Sequence, residues 1–246
     1  MSSVLAFDTS TETLSVGLAA DGRAWVREAP GGAQAGIALI PTVQGLLREA
    51  GIGLDALDAI GFGQGPGAFT GLRTACAVAQ GLAFGAGKPV LPLDTLAVVA
   101  RHAAGILGDV APSAIWVAMD ARMSEVYGAR YEHDAASNAW CATVAPALWT
   151  LEAFNAALKH NPAAVVAGSA IAAFGDRLDL VGSNARLVPD AGPGAYALLA
   201  EASHAWAQGA AVDAAAAVPV YLRDKVALTT AEREAAKTLK LGVAAA

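Results

Sequence analysis

The segment Gly61-Phe62-Gly63-Gln64-Gly65-Pro66-Gly67-Ala68-Phe69-Thr70-Gly71-Leu72-Arg73 constrains this fold more than any other part of the chain. It follows an apolar strand candidate and leads into a long helical run. Glycine admits positive φ and close backbone approach at an entropic cost, so five glycines here mean that bare backbone is wanted. Two readings stand. One is a tight strand-to-helix turn packed on the core. The other is a loop whose amides face a phosphate or a partner chain, as glycine-rich loops ahead of helix N-termini do. Gly63-x-Gly65-x-x-Ala68 matches the dinucleotide fingerprint formally. That fingerprint follows the first strand of a βαβ unit, however, whereas three strands and a helix precede this loop. No Gly-Lys-Ser/Thr follows, so it is not a P-loop.

Periodicity supplies the frame. Val4–Phe7 is a short apolar strand ending at Asp8-Thr9-Ser10, and Leu14–Leu18 alternates as a half-buried strand. Asp21-Gly22 predicts a hairpin, with Trp25–Glu28 returning. Leu39, Ile40, Val43, Leu46 and Leu47 recur at helical spacing, predicting a helix over Ile37–Ala50 with Pro41 in its first turn or kinking it. A strand at Ala59–Phe62, a helix at Thr70–Ala86, a strand at Val90–Leu93 and a helix from Thr95 to about His102 complete a ribonuclease-H-like order. The pattern restarts after Leu107–Pro112. Val4-Leu5-Ala6-Phe7-Asp8 aligns with Trp116-Val117-Ala118-Met119-Asp120, a faint internal duplication. Strands at Ile115–Met119, Glu125–Tyr131, Trp140–Val144 and Ala164–Ala167, with helices at Thr150–His160 and Gly194–Trp206, make the second half an abbreviated copy. The predicted fold is α/β, with lobes at 1–106 and 107–228 and a frayed or disordered tail at 229–246.

The chain has 246 residues, enough for two lobes with real cores. Hydrophobic residues make up 55% and charged residues only 15%, which implies either a surface covered by another subunit or an index inflated by alanine. The net charge of −6 and the absence of any Lys/Arg run argue against holding nucleic acid alone. Two cysteines, Cys76 and Cys141, make neither a disulfide framework nor a zinc cluster. No signal peptide and no membrane-length apolar run is visible, so a soluble cytoplasmic protein is expected.

The four histidines (102, 133, 160 and 204) lack the spacing that puts two imidazoles on one helix face, so no metal site is written. No Gly-x-Ser-x-Gly elbow occurs, and Cys76 sits among small apolar residues, so both cysteines are expected in the core. Asp8-Thr9-Ser10 is either a side-chain-capped turn or a phosphate-handling one. Asp120, Arg122 and Glu125 form a charged turn, for salt bridging or for ligand contact. Helix Thr70–Ala86 is apolar nearly all round, with Arg73 and Gln80 its only strongly polar side chains, and is covered either by the core or by a partner helix.

Four motifs resemble the TsaB (YeaZ) family of tRNA threonylcarbamoyladenosine biosynthesis. They are Ala6–Thr11 (AxDTST-like), Gly63–Arg73 (GxGPGSFTGxR, with Ala68 for the usual Ser), Asp120–Tyr127 (DARMxEVY) and Pro219–Arg223 (PxYLR). The resemblance implies an actin-like, sugar-kinase-like fold of two ribonuclease-H-like lobes. It also implies a non-catalytic subunit that pairs with the catalytic paralogue TsaD and the ATPase TsaE and meets tRNA only through the complex. A homodimer in isolation is left open. TsaD holds its metal with a His-x-x-x-His helix, whereas the corresponding stretch here reads Asp94-Thr95-Leu96-Ala97-Val98-Val99. No tightly bound cofactor and no metal is therefore expected, with ATP or ADP confined to the assembled complex. Asp8, Thr9, Gly65, Gly67 and Thr70 are the candidate nucleotide-facing loop. Leu39, Ile40, Val43, Leu47, Arg73, Ala77, Val78 and Leu82 are the candidate interface. The alternatives are a nucleotide-dependent phosphotransferase or phosphatase using Asp8 and the glycine loop, and a glycoprotease-like metallopeptidase.

Overall fold

The computed structural model describes residues 2–108, 112–180 and 185–223. The first lobe runs β1 (Val4–Asp8), β2 (Thr13–Ala20), β3 (Arg23–Pro30), α1 (Ala35–Ala50), β4 (Ala59–Gly65), α2 (Phe69–Ala86), β5 (Val90–Asp94) and α3 (Thr95–Leu107). The second runs β6 (Ala114–Asp120), β7 (Glu125–Asp134), β8 (Ala139–Thr150), α4 (Leu151–His160), β9 (Val165–Ala167), α5 (Ala170–Phe174), β10 (Arg186–Val188) and α6 (Ala195–Ala207).

Each lobe is built on a five-stranded sheet, ordered β3-β2-β1-β4-β5 in the first and β8-β7-β6-β9-β10 in the second. In both, the central strand pairs antiparallel with the next strand and parallel with the fourth. The faint duplication in the sequence is thus a repeated topology, and the fold is the actin-like pair of ribonuclease-H-like lobes. The copy is abbreviated at β9 and β10, three residues each.

Strand alternation sorts the core. Leu5 and Phe7 face α1 and α2, meeting Leu39, Val43, Leu46, Ala75 and Ala79, while Val4 and Ala6 face Leu198, Leu199 and Ala202 of α6. Gly17 lets α6 seat closely, since a Cβ there would lie 2.6 Å from Leu199 Cγ. Chain order and lobe therefore part company. The division at residue 107 assigns α6 to the second lobe, yet α6 packs under the first sheet, and α3 lends Leu96, Val99, Ala100 and Ala103 to the core of the second. These two helices cross between the sheets, joined by the Arg101–Glu201 ion pair at 2.6 Å.

Three expectations need adjustment. Pro41 sits inside α1 beyond its first turn, on the exposed face. The strand expected at Trp140–Val144 extends to Thr150, whose hydroxyl caps α4 by accepting the Ala153 amide. Neither α5 nor β10 was anticipated, because five and three residues are too few for a period to show. The tail at 229–246 lies outside the described residues.

Candidate functional site: the cleft between the lobes

The β1 turn and the glycine segment are built into each other. Asp8 is fully buried; its carboxylate accepts the Ser10 amide at 2.6 Å and the Thr95 hydroxyl at 3.0 Å, and Thr95 Oγ1 in turn accepts the Gly65 amide. Burial raises the Asp8 carboxyl above its ordinary range against the pull of those hydrogen bonds. Thr9 donates its hydroxyl to the Gly71 carbonyl at 2.7 Å. A Cβ at Gly63 would collide with the Asp8 carboxylate, and one at Gly71 with the Thr9 carbonyl. At Gly67 it would lie 2.5 Å from Ser10 Cβ. These glycines serve close packing against the chain's own turn. Helix α2 begins above it at Ala68, an N-cap without a side-chain hydrogen bond.

A cleft of about 650 Å³ lies between the lobes. One wall carries Ser10, Glu12, Gly67 and Phe69; the other carries Asp120, Arg122, Tyr127 and Ser169. The loop 189–194 forms a third side, tied by its Gly192 to Nδ1 of His102. Ser10 Oγ, against Gly67, is buried without a hydrogen-bond partner. Across the mouth, Arg122 pairs with Glu12 at 3.1 Å and with Asp120 at 3.3 Å. The turn that presents it holds Arg122, Met123 and Ser124 at φ of 63°, 54° and 60°, the left-handed region that costs ordinary residues energy. Arg223 braces this turn, donating to the Ala121 carbonyl at 2.9 Å and pairing with Glu125 at 2.7 Å. All four sequence motifs converge here.

Of the candidate nucleotide-facing residues, only Gly67 lines the cleft. Asp8, Thr9 and Gly65 are buried beneath it, and Thr70 is exposed without lining it. The two Asp8 oxygens accept from the Ser10 amide and the Thr95 hydroxyl beneath the cleft floor. The sequence reading missed Glu12, Ser169 and loop 189–194. The loop's Pro189-Asp190-Ala191-Gly192-Pro193-Gly194 is a turn signal, but only the fold brings it to His102. Within the charged turn Asp120 pairs with Arg122, whereas Glu125 pairs with Arg223, and Asp120 and Arg122 also line the cleft.

The candidate interface divides. Leu39, Val43 and Leu47 are buried in the chain's own core, because the α1 stripe faces the first sheet. Val78 and Leu82 are half-buried against the same core. Ile40, Arg73 and Ala77 are exposed, beside Ile37 at 81% and Phe84 at 64% exposure. Four helical glycines on α1 and α2 (Gly36, Gly45, Gly81 and Gly85) have nothing within 4 Å of where a Cβ would stand.

A family described as TsaD, tRNA N6-adenosine threonylcarbamoyltransferase, matches residues 36–231. The tRNA threonylcarbamoyladenosine biosynthesis protein TsaB of Escherichia coli is 33% identical, over 91% of this chain and 96% of its own length. The protein of that name from Haemophilus influenzae is 32% identical, over 91% and 94%. This chain belongs to the TsaB family. The solved structure of YeaZ from Pseudomonas aeruginosa agrees, at 39% identity and a TM-score of 0.78 over 90% of this chain and all of that one. A second Pseudomonas aeruginosa structure, described as similar to peptidase YeaZ, gives 38% and 0.80 over 91% and 100%. The TsaB fold thus covers both lobes. Among the described residues, no three His, Cys, Asp or Glu side chains group to hold a metal ion, and no helix is long and apolar enough to cross a membrane.

Proposed function

We propose that this chain is a non-catalytic subunit in the formation of N6-threonylcarbamoyladenosine in tRNA, pairing with TsaD and acting with the ATPase TsaE. The family relatives named for that pathway support the biological role. One observation carries the subunit reading: the outward face of α1 and α2. It presents Ile37, Ile40, Ala77 and Phe84 to solvent, with three exposed helical glycines, Gly36, Gly81 and Gly85, at which an added Cβ would meet nothing within 4 Å. Glycine inside a helix costs about 0.5–1 kcal/mol relative to alanine. A partner helix approaching closely would give that cost a return, with apolar burial driving the contact at roughly 25 cal/mol per Å² before ordering costs.

The side chains near the cleft support a non-catalytic role. Where TsaD carries its histidine pair, Asp94 caps α3 by accepting the Leu96 amide, and Thr95 holds Asp8. His102 is engaged with Gly192. TsaD resembles this chain, so the same face could also make a homodimer when TsaD is absent, in competition with it. Reconstitution tests the reading. Purified chain added to TsaD, TsaE, ATP, a preformed activated threonylcarbamoyl donor and unmodified tRNA should support modification, and chain alone should give none. Modification by the chain alone, or undiminished modification without it, would refute the proposal.

A further inference from the structure

The segment 217–223 runs along the first lobe and ends in the second. The Ala217 carbonyl accepts Gln80 Nε2 at 3.0 Å, and the Val220 amide donates to the Gln64 carbonyl at 2.7 Å. Tyr221 stacks on Phe69 at 4.9 Å between ring centres and accepts Arg73 Nε at 3.1 Å, while the Arg73 guanidinium lies 3.9 Å over the Phe69 ring. Up to Tyr221 these attachments belong to α2 and the glycine loop. Two residues later Arg223 crosses the mouth and reaches Ala121, Glu125 and Met123 Sδ of the second lobe.

The two sides of the cleft are joined differently. On one, α3 and α6 bind the lobes through buried contacts: Tyr131 donates to Asp94 at 2.6 Å, and Arg101 pairs with Glu201 with both side chains under 15% exposed. On the other, the links are polar and near the surface: Arg223–Glu125, and Arg122–Glu12 with both side chains more than 70% exposed. Surface pairs of the second kind hold little, about 0–1 kcal/mol. The Arg223 guanidinium, largely covered and shared between a carboxylate and a carbonyl, forms stronger charge-assisted bonds. It also seats on the left-handed turn 122–124, whose conformation needs outside support.

We infer that residues 217–223 are a latch: Tyr221 fixes it to the first lobe, Arg223 fastens it to the second, and its release opens the cleft about the α3/α6 side. The latch thereby governs access to the cleft. Of the candidate interface residues, Arg73 also holds the latch, through Tyr221.

Of the two cysteines expected in the core, Cys76 is buried but Cys141, on β8 of the second lobe, is exposed. Arg23→Cys on exposed β3 supplies a label site on the first lobe. Spin labels at these two positions report the interlobe distance by pulsed dipolar spectroscopy. Arg223→Gln is expected to add a longer-distance population that the wild type lacks. Glu125→Gln, which keeps the side chain's shape, should add it to a lesser degree, and Tyr221→Phe, which loses only the hydroxyl, least. Folded variants whose distributions all match wild type would overturn the latch. So would global unfolding of Arg223→Gln accompanied by no change in Glu125→Gln, because Arg223 would then be a plain packing residue.

Discussion

Asp8 and Asp120 close the same turn in the two lobes, each accepting the amide two residues on, from Ser10 at 2.6 Å and from Arg122 at 2.8 Å. Both stand at the end of the central strand of a sheet with the same strand order. Their surroundings have diverged. Asp8 is sealed under the glycine loop with hydroxyl and amide donors, whereas Asp120 lines the cleft and meets a guanidinium. One copy of the turn has become a core fastener and the other a cleft wall.

Burial of Asp8 sets a pH dependence. Its folded-state carboxyl titrates above the ordinary value of about 3.9, so its contribution to stability is fullest below that value and is lost as pH rises through the folded pKa. Denaturant titrations of wild type and Asp8→Asn should show the wild type losing ground to the variant as pH rises above about 4. Any offset from the altered Thr95 hydrogen bond is independent of pH. A stability difference that stays flat across this range would contradict the buried-carboxylate account.

Two glycines on α2 should respond oppositely to alanine. Gly71→Ala drives a methyl into the Thr9 carbonyl, backbone against backbone, and should destabilise by about 3 kcal/mol or prevent folding. Gly81→Ala meets open space and should stabilise the isolated chain by about 0.5–1 kcal/mol. Thermal melts of the two variants decide the matter. Similar behaviour in both would remove the distinction between glycines serving the core and glycines serving the exterior.

Ala68 begins α2 with an empty cap. Ala68→Ser supplies a hydroxyl to accept an amide of the first turn and should raise stability by about 1 kcal/mol, read as a higher urea midpoint at unchanged slope. An unchanged midpoint would mean that the first-turn amides gain nothing from a cap.

Much of this was legible in the sequence. Asp21-Gly22, the Leu39–Leu47 stripe and the glycine segment each carry a local rule, and the structure obeys them. The nucleotide-facing and interface residues were less legible, because facing is a tertiary property. The α1 stripe has to cover a sheet, and only the fold decides that Leu39, Val43 and Leu47 do so while Ile37 and Ile40 look outward. Asp8 and Thr9 sit in a motif shared with phosphate-handling turns, yet their side chains turn into the protein because Thr95 and Gly71 arrive from distant positions to meet them. The exchange of α3 and α6 between lobes left no local trace, since both helices are apolar on the sides they bury.

The central claim is that the outer face of α1 and α2 docks on TsaD. Val78→Glu is a poor probe, because Val78 packs against the core. Gly81→Glu suits the test, since its side chain would project into open space without disturbing the chain's own packing. Titration calorimetry of TsaD from the same organism against wild type and Gly81→Glu, with folding checked by circular dichroism, measures the contact directly. The account predicts a folded variant whose affinity falls at least tenfold, about 1.4 kcal/mol or more. A folded variant that binds TsaD as tightly as wild type would place the contact elsewhere and contradict the account.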